Sequence, residues 1–125
     1  MQSTNVFIVE DSGSIRQRLA SMLEGIEGVT VVGEAETPGE ALEGILRTQP
    51  DSVVLDLHLI GGSGLDVLRL AQPHAPHTVF IVLTNYANAQ YRRVCMQAGA
   101  AYFFDKSGEI AKVRDVIAAL SDTHH

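Results

Sequence analysis

Val6-Phe7-Ile8-Val9-Glu10-Asp11-Ser12 is the stretch that decides the fold. Four consecutive apolar residues, all β-branched or aromatic, do not alternate with polar ones. A half-exposed strand would alternate, so this run reads as a strand covered on both faces, the habit of parallel sheets packed between helices. It stops abruptly at two carboxylates, and a helical spacing begins: Ile15, Leu19, Met22, Leu23 and Ile26.

The same unit recurs outward from there. Further apolar runs stand at Val29-Thr30-Val31-Val32, Val53-Val54-Leu55, Val79-Phe80-Ile81-Val82-Leu83 and Tyr102-Phe103-Phe104. Between them lie helical patterns. Thr37-Pro38-Gly39-Glu40 reads as a capping box with proline at the first helical position, followed by an apolar face of Ala41, Leu42, Ile45 and Leu46. A short third helix is predicted over 65–71, ending near Pro73. Ala87, Tyr91, Val94, Cys95 and Ala98 make a fourth stripe with Gly99 as its C-terminal cap, and Ile110, Val113, Ile117 and Leu120 a fifth. Five β-α units predict an α/β fold: a doubly wound five-stranded parallel sheet with five helices, in the flavodoxin-like order 2-1-3-4-5.

With 125 residues and no repeat or linker, the chain reads as one domain over 1–125. Hydrophobic residues are 46%, enough for a core without disulfide or metal, and the single Cys95 excludes an internal disulfide and fits a reducing compartment, hence the cytoplasm. A net charge of -6 argues against direct nucleic-acid binding. No apolar run reaches membrane-span length, and no signal peptide is visible at the start.

In doubly wound sheets, ligands bind outside the carboxyl ends of the strands. Glu10 and Asp11 follow the first run, Asp56 the third, Thr84 the fourth, and Lys106 the fifth. One sheet edge thus collects three carboxylates, a hydroxyl and an ammonium. Two carboxylates about 4 Å apart repel by about 4 kcal/mol at an effective dielectric near 20. Lys106 offsets part of that charge, and a hard divalent cation with oxygen ligands, Mg²⁺, suits the rest. Together these groups suit phosphoryl transfer to an aspartate nucleophile.

The ordered set resembles the receiver domains of bacterial two-component response regulators. Val9-Glu10-Asp11-Ser12 matches the acidic pair, Val54-Leu55-Asp56-Leu57 the phosphoacceptor strand, Gly64 the glycine opening the third helix, and Leu83-Thr84-Asn85 the switch threonine. Ala98-Gly99-Ala100 leads into Phe103-Phe104-Asp105-Lys106, the switch aromatic and the lysine. The resemblance implies that Asp56 takes a phosphoryl group from a sensor histidine kinase or a phosphotransfer protein. It implies Mg²⁺ held by Asp11, Asp56 and the backbone carbonyl of His58, with Glu10 acting through water. Lys106 binds a phosphoryl oxygen, and Thr84 and Phe103 carry the switch to the face of the fourth helix, fifth strand and fifth helix. That face then serves a downstream protein, a linked output domain or a second copy of the chain. His58 and Tyr86 either flank the phosphate, where the family tunes its lifetime, or are simply exposed surface residues. No reaction on another molecule is implied, only the chain's own phosphorylation and dephosphorylation.

Four departures stand out. Ile60 takes a place where the family often has proline, which leaves that loop looser. Ser107 replaces the proline that often follows the lysine across a cis bond, so the Lys106–Ser107 peptide is expected trans. Asn85 is larger than the usual neighbour of the threonine and narrows access to Asp56. Phe103 lacks the hydroxyl of the commoner tyrosine, so its ring is expected to sample the inward position without phosphorylation, the alternative being a ring that stays permanently in the core. His74 and His77 read as a surface loop, Cys95 as core, and His124 and His125 as a frayed tail. Three rival readings remain: a fixed pseudo-receiver interaction module; a flavodoxin-like mononucleotide binder using Ser12-Gly13-Ser14, whose phosphate Glu10 and Asp11 would repel; and an aspartyl phosphatase, for which Asp56-Leu57-His58 lacks the second acid.

Overall fold

The computed structural model describes residues 3–123; His124, His125 and the start of the chain lie outside the described residues. Five parallel strands form one sheet: β1 Thr4–Val9, β2 Val29–Ala35, β3 Ser52–Leu55, β6 Val79–Thr84 and β7 Tyr102–Asp105. Their spatial order is β2-β1-β3-β6-β7, the predicted 2-1-3-4-5 pattern. A two-stranded antiparallel hairpin, β4 His58–Leu59 with β5 Gly62–Ser63, is inserted after β3 and was not predicted.

The helices are α1 Gly13–Glu24, α2 Pro38–Thr48, α3 Gly64–Ala71, α4 Ala89–Gln97 and α5 Ile110–Thr123. Their starts follow the local chemistry. Ser12, Thr37, Ser63 and Asn88 each sit in extended backbone and accept a backbone N–H of the first turn. At Thr37 the box closes differently from the usual one: its hydroxyl donates to the Glu40 carboxylate (3.1 Å) while accepting from Glu40 N (3.3 Å). Gly99 ends α4 at φ +111°, as predicted for a residue without Cβ.

The sheet divides the core in two. One layer packs Phe7, Val53, Leu55, Phe80 and Phe103 with residues of α2, α3 and α4; the other packs Ile8, Val54, Ile81 and Leu83 with Leu19, Leu23, Val113 and Ile117 of α1 and α5. Each such side chain, fully buried, contributes roughly 1.5–3 kcal/mol. The predicted faces of α1, α2, α4 and α5 need correction. Ile26 packs on the second layer from beyond the end of α1, because the helix stops at Glu24. Tyr91 is exposed and Ala87 precedes α4, because Asn88 caps the helix there. The anchored residues of α4 reduce to buried Cys95 with half-buried Val94 and Ala98. Leu46 and Leu120 are only half-buried, so the inner faces of α2 and α5 are narrower than read. His74 and His77 are exposed, as expected. Among the described residues no helix is long and apolar enough to cross a membrane.

Candidate phosphoacceptor site

The carboxyl ends of β1, β3, β6 and β7 meet at one edge of the sheet. Register explains it: Val9 pairs Leu55, Leu55 pairs Val82, and Thr84 pairs Asp105, so the residues that follow these strands emerge side by side. Glu10, Asp11 and Asp56 each bring a carboxylate oxygen within 4.8 Å of the others. Glu10 and Asp56 are buried, whereas Asp11 stays partly open to solvent.

Lys106 closes the cluster. Its side chain, 6% exposed, places Nζ on Glu10 Oε1 and 3.0 Å from Asp56 Oδ2. Burial pushes the Glu10 carboxyl above its ordinary value, against the pull of Lys106 and of the Ser12 N–H on Oε2 (2.9 Å). Burial alone would lower Lys106; bonding and attraction to Glu10 and Asp56 outweigh it and hold the ammonium above its ordinary value. The lysine is therefore a fixed positive charge in the site.

Thr84 is fully buried, and its Oγ1 accepts from Tyr86 N (3.1 Å), which leaves the hydroxyl proton to donate elsewhere. Thr84's carbonyl accepts from Lys106 N (3.0 Å), so the hydroxyl and the ammonium hang from one strand pair. The rings of His58 and Tyr86 lie with centroids 4.1 Å apart, and His58 N points to Asp56 Oδ1 at 3.5 Å. Both aromatic residues are exposed at the mouth of the site. Phe103 is buried at 4% exposure and packs in the core layer with Phe80 and Cys95. Arg92 donates to its carbonyl (3.3 Å) and lies 5.9 Å from its ring centroid.

Gly64 shows how tightly the loop after Asp56 is drawn. Its N–H donates to Leu57 O (2.8 Å), and a Cβ at this position would collide with the Asp56 carbonyl oxygen. The Ile60 loop is tied rather than loose: the Ile60 N–H donates to Glu36 O (3.1 Å), a bond proline has no hydrogen to make. The described residues hold no cis peptide, so Lys106–Ser107 is trans as expected. Asn85 is exposed beside the site.

Sequence reasoning missed Arg16. Its Nη1 donates to the Glu10 carbonyl (2.8 Å), and the guanidinium pairs with Glu34 (3.2 Å) and Glu36 (3.7 Å), tying the acidic turn to the edge strand. The signal was present: Arg16 stands three residues before Leu19, on the sheet-facing stripe of α1, where a charge needs partners.

Comparison with known proteins identifies the family. The family model of the response regulator receiver domain matches residues 6–118. A transcriptional regulatory protein of Bacillus subtilis, YvfU, is 34% identical over 90% of this chain and 56% of its own length. A protein-glutamate methylesterase/protein-glutamine glutaminase of Myxococcus xanthus is 36% identical over 87% of this chain and 32% of its own length. The chain thus spans about half or less of these curated relatives. The crystal structure of a LuxR-family two-component response regulator from Aurantimonas superposes with a TM-score of 0.88 at 26% identity, covering 98% of this chain and 87% of that one. With the family model covering most of its length and its sheet in the expected order, the chain belongs to the response regulator receiver domains.

Proposed function

We propose that this receiver domain takes a phosphoryl group from the phosphohistidine of a sensor histidine kinase or phosphotransfer protein onto Asp56, with Mg²⁺, in the cytoplasm. The observation that carries the reading is the buried Lys106 ammonium bridging Glu10 and Asp56 beside the open carboxylate of Asp11. The donor set is all oxygen, carries a surplus of negative charge and keeps one solvent-facing side, which fits a hard divalent cation that retains waters. Asp11, Asp56 and the His58 carbonyl would hold it directly and Glu10 through water. When bound, it supplies neutralisation of charge on the phosphoryl oxygens.

In the transfer, an Asp56 carboxylate oxygen bonds to phosphorus as the P–N bond of the donor breaks. The electron pair of that bond stays on the donor imidazole nitrogen. Lys106 gives up its Asp56 contact to a phosphoryl oxygen and keeps Glu10. The Thr84 hydroxyl donates to another phosphoryl oxygen. Its displacement changes the space beside Phe103, and through it the face of α4, β7 and α5, where exposed Tyr91 and Tyr102 await a downstream protein, an output domain or a second copy. The paired rings of His58 and Tyr86, exposed beside Asp56, support a role for these two residues in tuning phosphate lifetime. The chemistry stays on the chain's own aspartate.

A mass spectrum after incubation with acetyl phosphate and Mg²⁺ tests the reading. A gain of about 80 Da, one phosphoryl group, is expected and should vanish in Asp56→Asn. No gain with either small-molecule or phosphohistidine donors would leave a fixed interaction module instead.

A further inference from the structure

The residues after β7 form a closed set of hydrogen bonds around Asp105, and the side chain they bracket is Lys106. The Asp105 N–H donates to Glu109 Oε1 (2.9 Å). Its carbonyl accepts from Glu109 N (2.8 Å) and Gly108 N (3.3 Å). Its Oδ1 accepts from Ser107 N (2.9 Å) and Ser107 Oγ (2.7 Å). All five bonds come from residues 107–109, so the lead-in to α5 grips the last residue of the strand. On its other side, Lys106 N donates to Thr84 O (3.0 Å), which carries the β6–β7 pairing one residue past the strand end.

The carboxyls of this turn record the same bonds. Asp105 is held below its ordinary value by the Ser107 N–H and hydroxyl, and Glu109 by Lys112 and the Asp105 N–H. A lysine stem has several rotatable bonds, so the position of its Cα sets the range its ammonium can reach and the stem torsions set where within that range it stands. Here the ammonium must meet two buried carboxylates at once.

We propose that Ser107 and Glu109 are positioning residues for phosphoryl transfer: their hydrogen bonds to Asp105 set where the Lys106 ammonium stands between Glu10 and Asp56. This rests on the reading of Asp56 as phosphoacceptor. Neither residue faces the acidic cluster; they act through the backbone that carries Lys106. A displacement of the order of 1 Å in a charge-stabilising group can slow a reaction by up to about 100-fold, so a partial loosening of this turn should be visible as a slower rate.

The competing account is that Glu109 only stabilises the start of α5, through its negative charge and its ion pair with Lys112 (2.7 Å). Glu109→Gln separates the two, because the amide keeps the acceptor oxygen and loses the charge. Glu109→Ala loses both, and Lys112→Ala breaks the ion pair alone. The phosphorylation rate with acetyl phosphate at saturating Mg²⁺ should fall about tenfold in Glu109→Ala, within the range of such displacements. Ser107→Ala should fall less, since the Ser107 N–H remains. Glu109→Gln and Lys112→Ala should stay near the parent rate. Hydrogen exchange of the Lys106 amide, read by NMR without metal or phosphodonor, should quicken in Glu109→Ala and stay unchanged in Glu109→Gln. Equal rates in all variants, or Glu109→Gln as slow as Glu109→Ala, would overturn the proposal. If the parent chain takes no phosphoryl group on Asp56, the functional reading fails. The Lys106 exchange comparison still decides whether this turn positions the lysine.

Discussion

Gly64→Ala and Gly39→Ala should move stability in opposite directions, although both add one methyl group to the first turn of a helix. At Gly39 a new Cβ meets nothing within 4 Å, and the backbone is already helical. The substitution therefore acts mainly by restricting the unfolded chain, a gain of about 0.4–1 kcal/mol. At Gly64 the same Cβ lands on the Asp56 carbonyl oxygen and within 3.1 Å of Leu57 Cα. Both are backbone atoms at the end of a central strand, so no side chain can swing away. Either α3 or the end of β3 must shift, a strain of about 1–3 kcal/mol that belongs near its upper limit here. Set against the same unfolded-state gain, the net loss is about 2 kcal/mol. At about 4 °C per kcal/mol for a domain of this size, Gly64→Ala should melt about 8 °C below the parent and Gly39→Ala about 2–4 °C above it. Phosphorylation of Asp56 should slow only in Gly64→Ala, because only there does the acceptor's backbone move. Thermal melts followed by circular dichroism, with phosphorylation by acetyl phosphate, make the comparison. A Gly64→Ala chain that melts at or above the parent would show that the loop relaxes freely and refute the reasoning.

Lys106→Met should cost about 3–5 kcal/mol in buffer with a chelator, because Glu10 and Asp56 lose their shared cation while buried; a melting temperature within 2–3 °C of the parent, about 1 kcal/mol or less, would contradict it. Ile60→Pro should destabilise by about 0.5–1.5 kcal/mol through loss of the N–H bond to Glu36 O, measured by urea unfolding; a neutral or stabilising result would mean the hairpin does not need that tie. Asp105 is held below its ordinary value of 3.8 by the bonds from Ser107, so its ionised form contributes stability that is present above that pH and is lost as the pH falls through the lowered folded value. Asp105→Asn should therefore show a shallower loss of stability than the parent as the pH falls below about 4, and a parallel profile in acid unfolding would oppose this.

The sheet and the polar edge were legible for one physical reason. Strands covered on both faces need unbroken apolar runs, and such runs have sharp ends, so Glu10, Asp56, Thr84 and Lys106 could be placed at one edge before any coordinates. Helix ends were legible where a side chain caps, as at Thr37, or where a glycine takes positive φ, as at Gly99. The inner face of α4 was not, because Tyr91 lies at helical spacing from Val94 and Cys95 yet points to solvent, and apolar spacing cannot separate a core ring from a surface one. The β4–β5 hairpin escaped because two-residue strands carry no periodicity; its marker is the Gly61-Gly62 pair, with Gly61 at φ +83°. Arg16's place on the inner stripe of α1 was legible, but its partners were not, because Glu10, Glu34 and Glu36 meet it only once β1 and β2 pair.

The two departures that bear most on the site share one logic. Proline fixes φ and removes a donor, so a loop built with it is held by covalent restriction. At Ile60 and Ser107 this chain keeps the donor and uses it, on Glu36 O in one case and Asp105 Oδ1 in the other. Both loops are therefore held by hydrogen bonds at partly exposed positions, where the net worth of each bond is about 0.5–1.5 kcal/mol and opening is reversible. The buried centre differs: Glu10, Asp56 and Lys106 are locked by charges that cannot separate cheaply once out of water. On the proposed function, a rigid charged centre between hydrogen-bonded loops would let a phosphoryl group replace the Lys106–Asp56 contact without dismantling the edge, because the flanking loops would yield by small steps while Glu10 keeps its hold on the lysine.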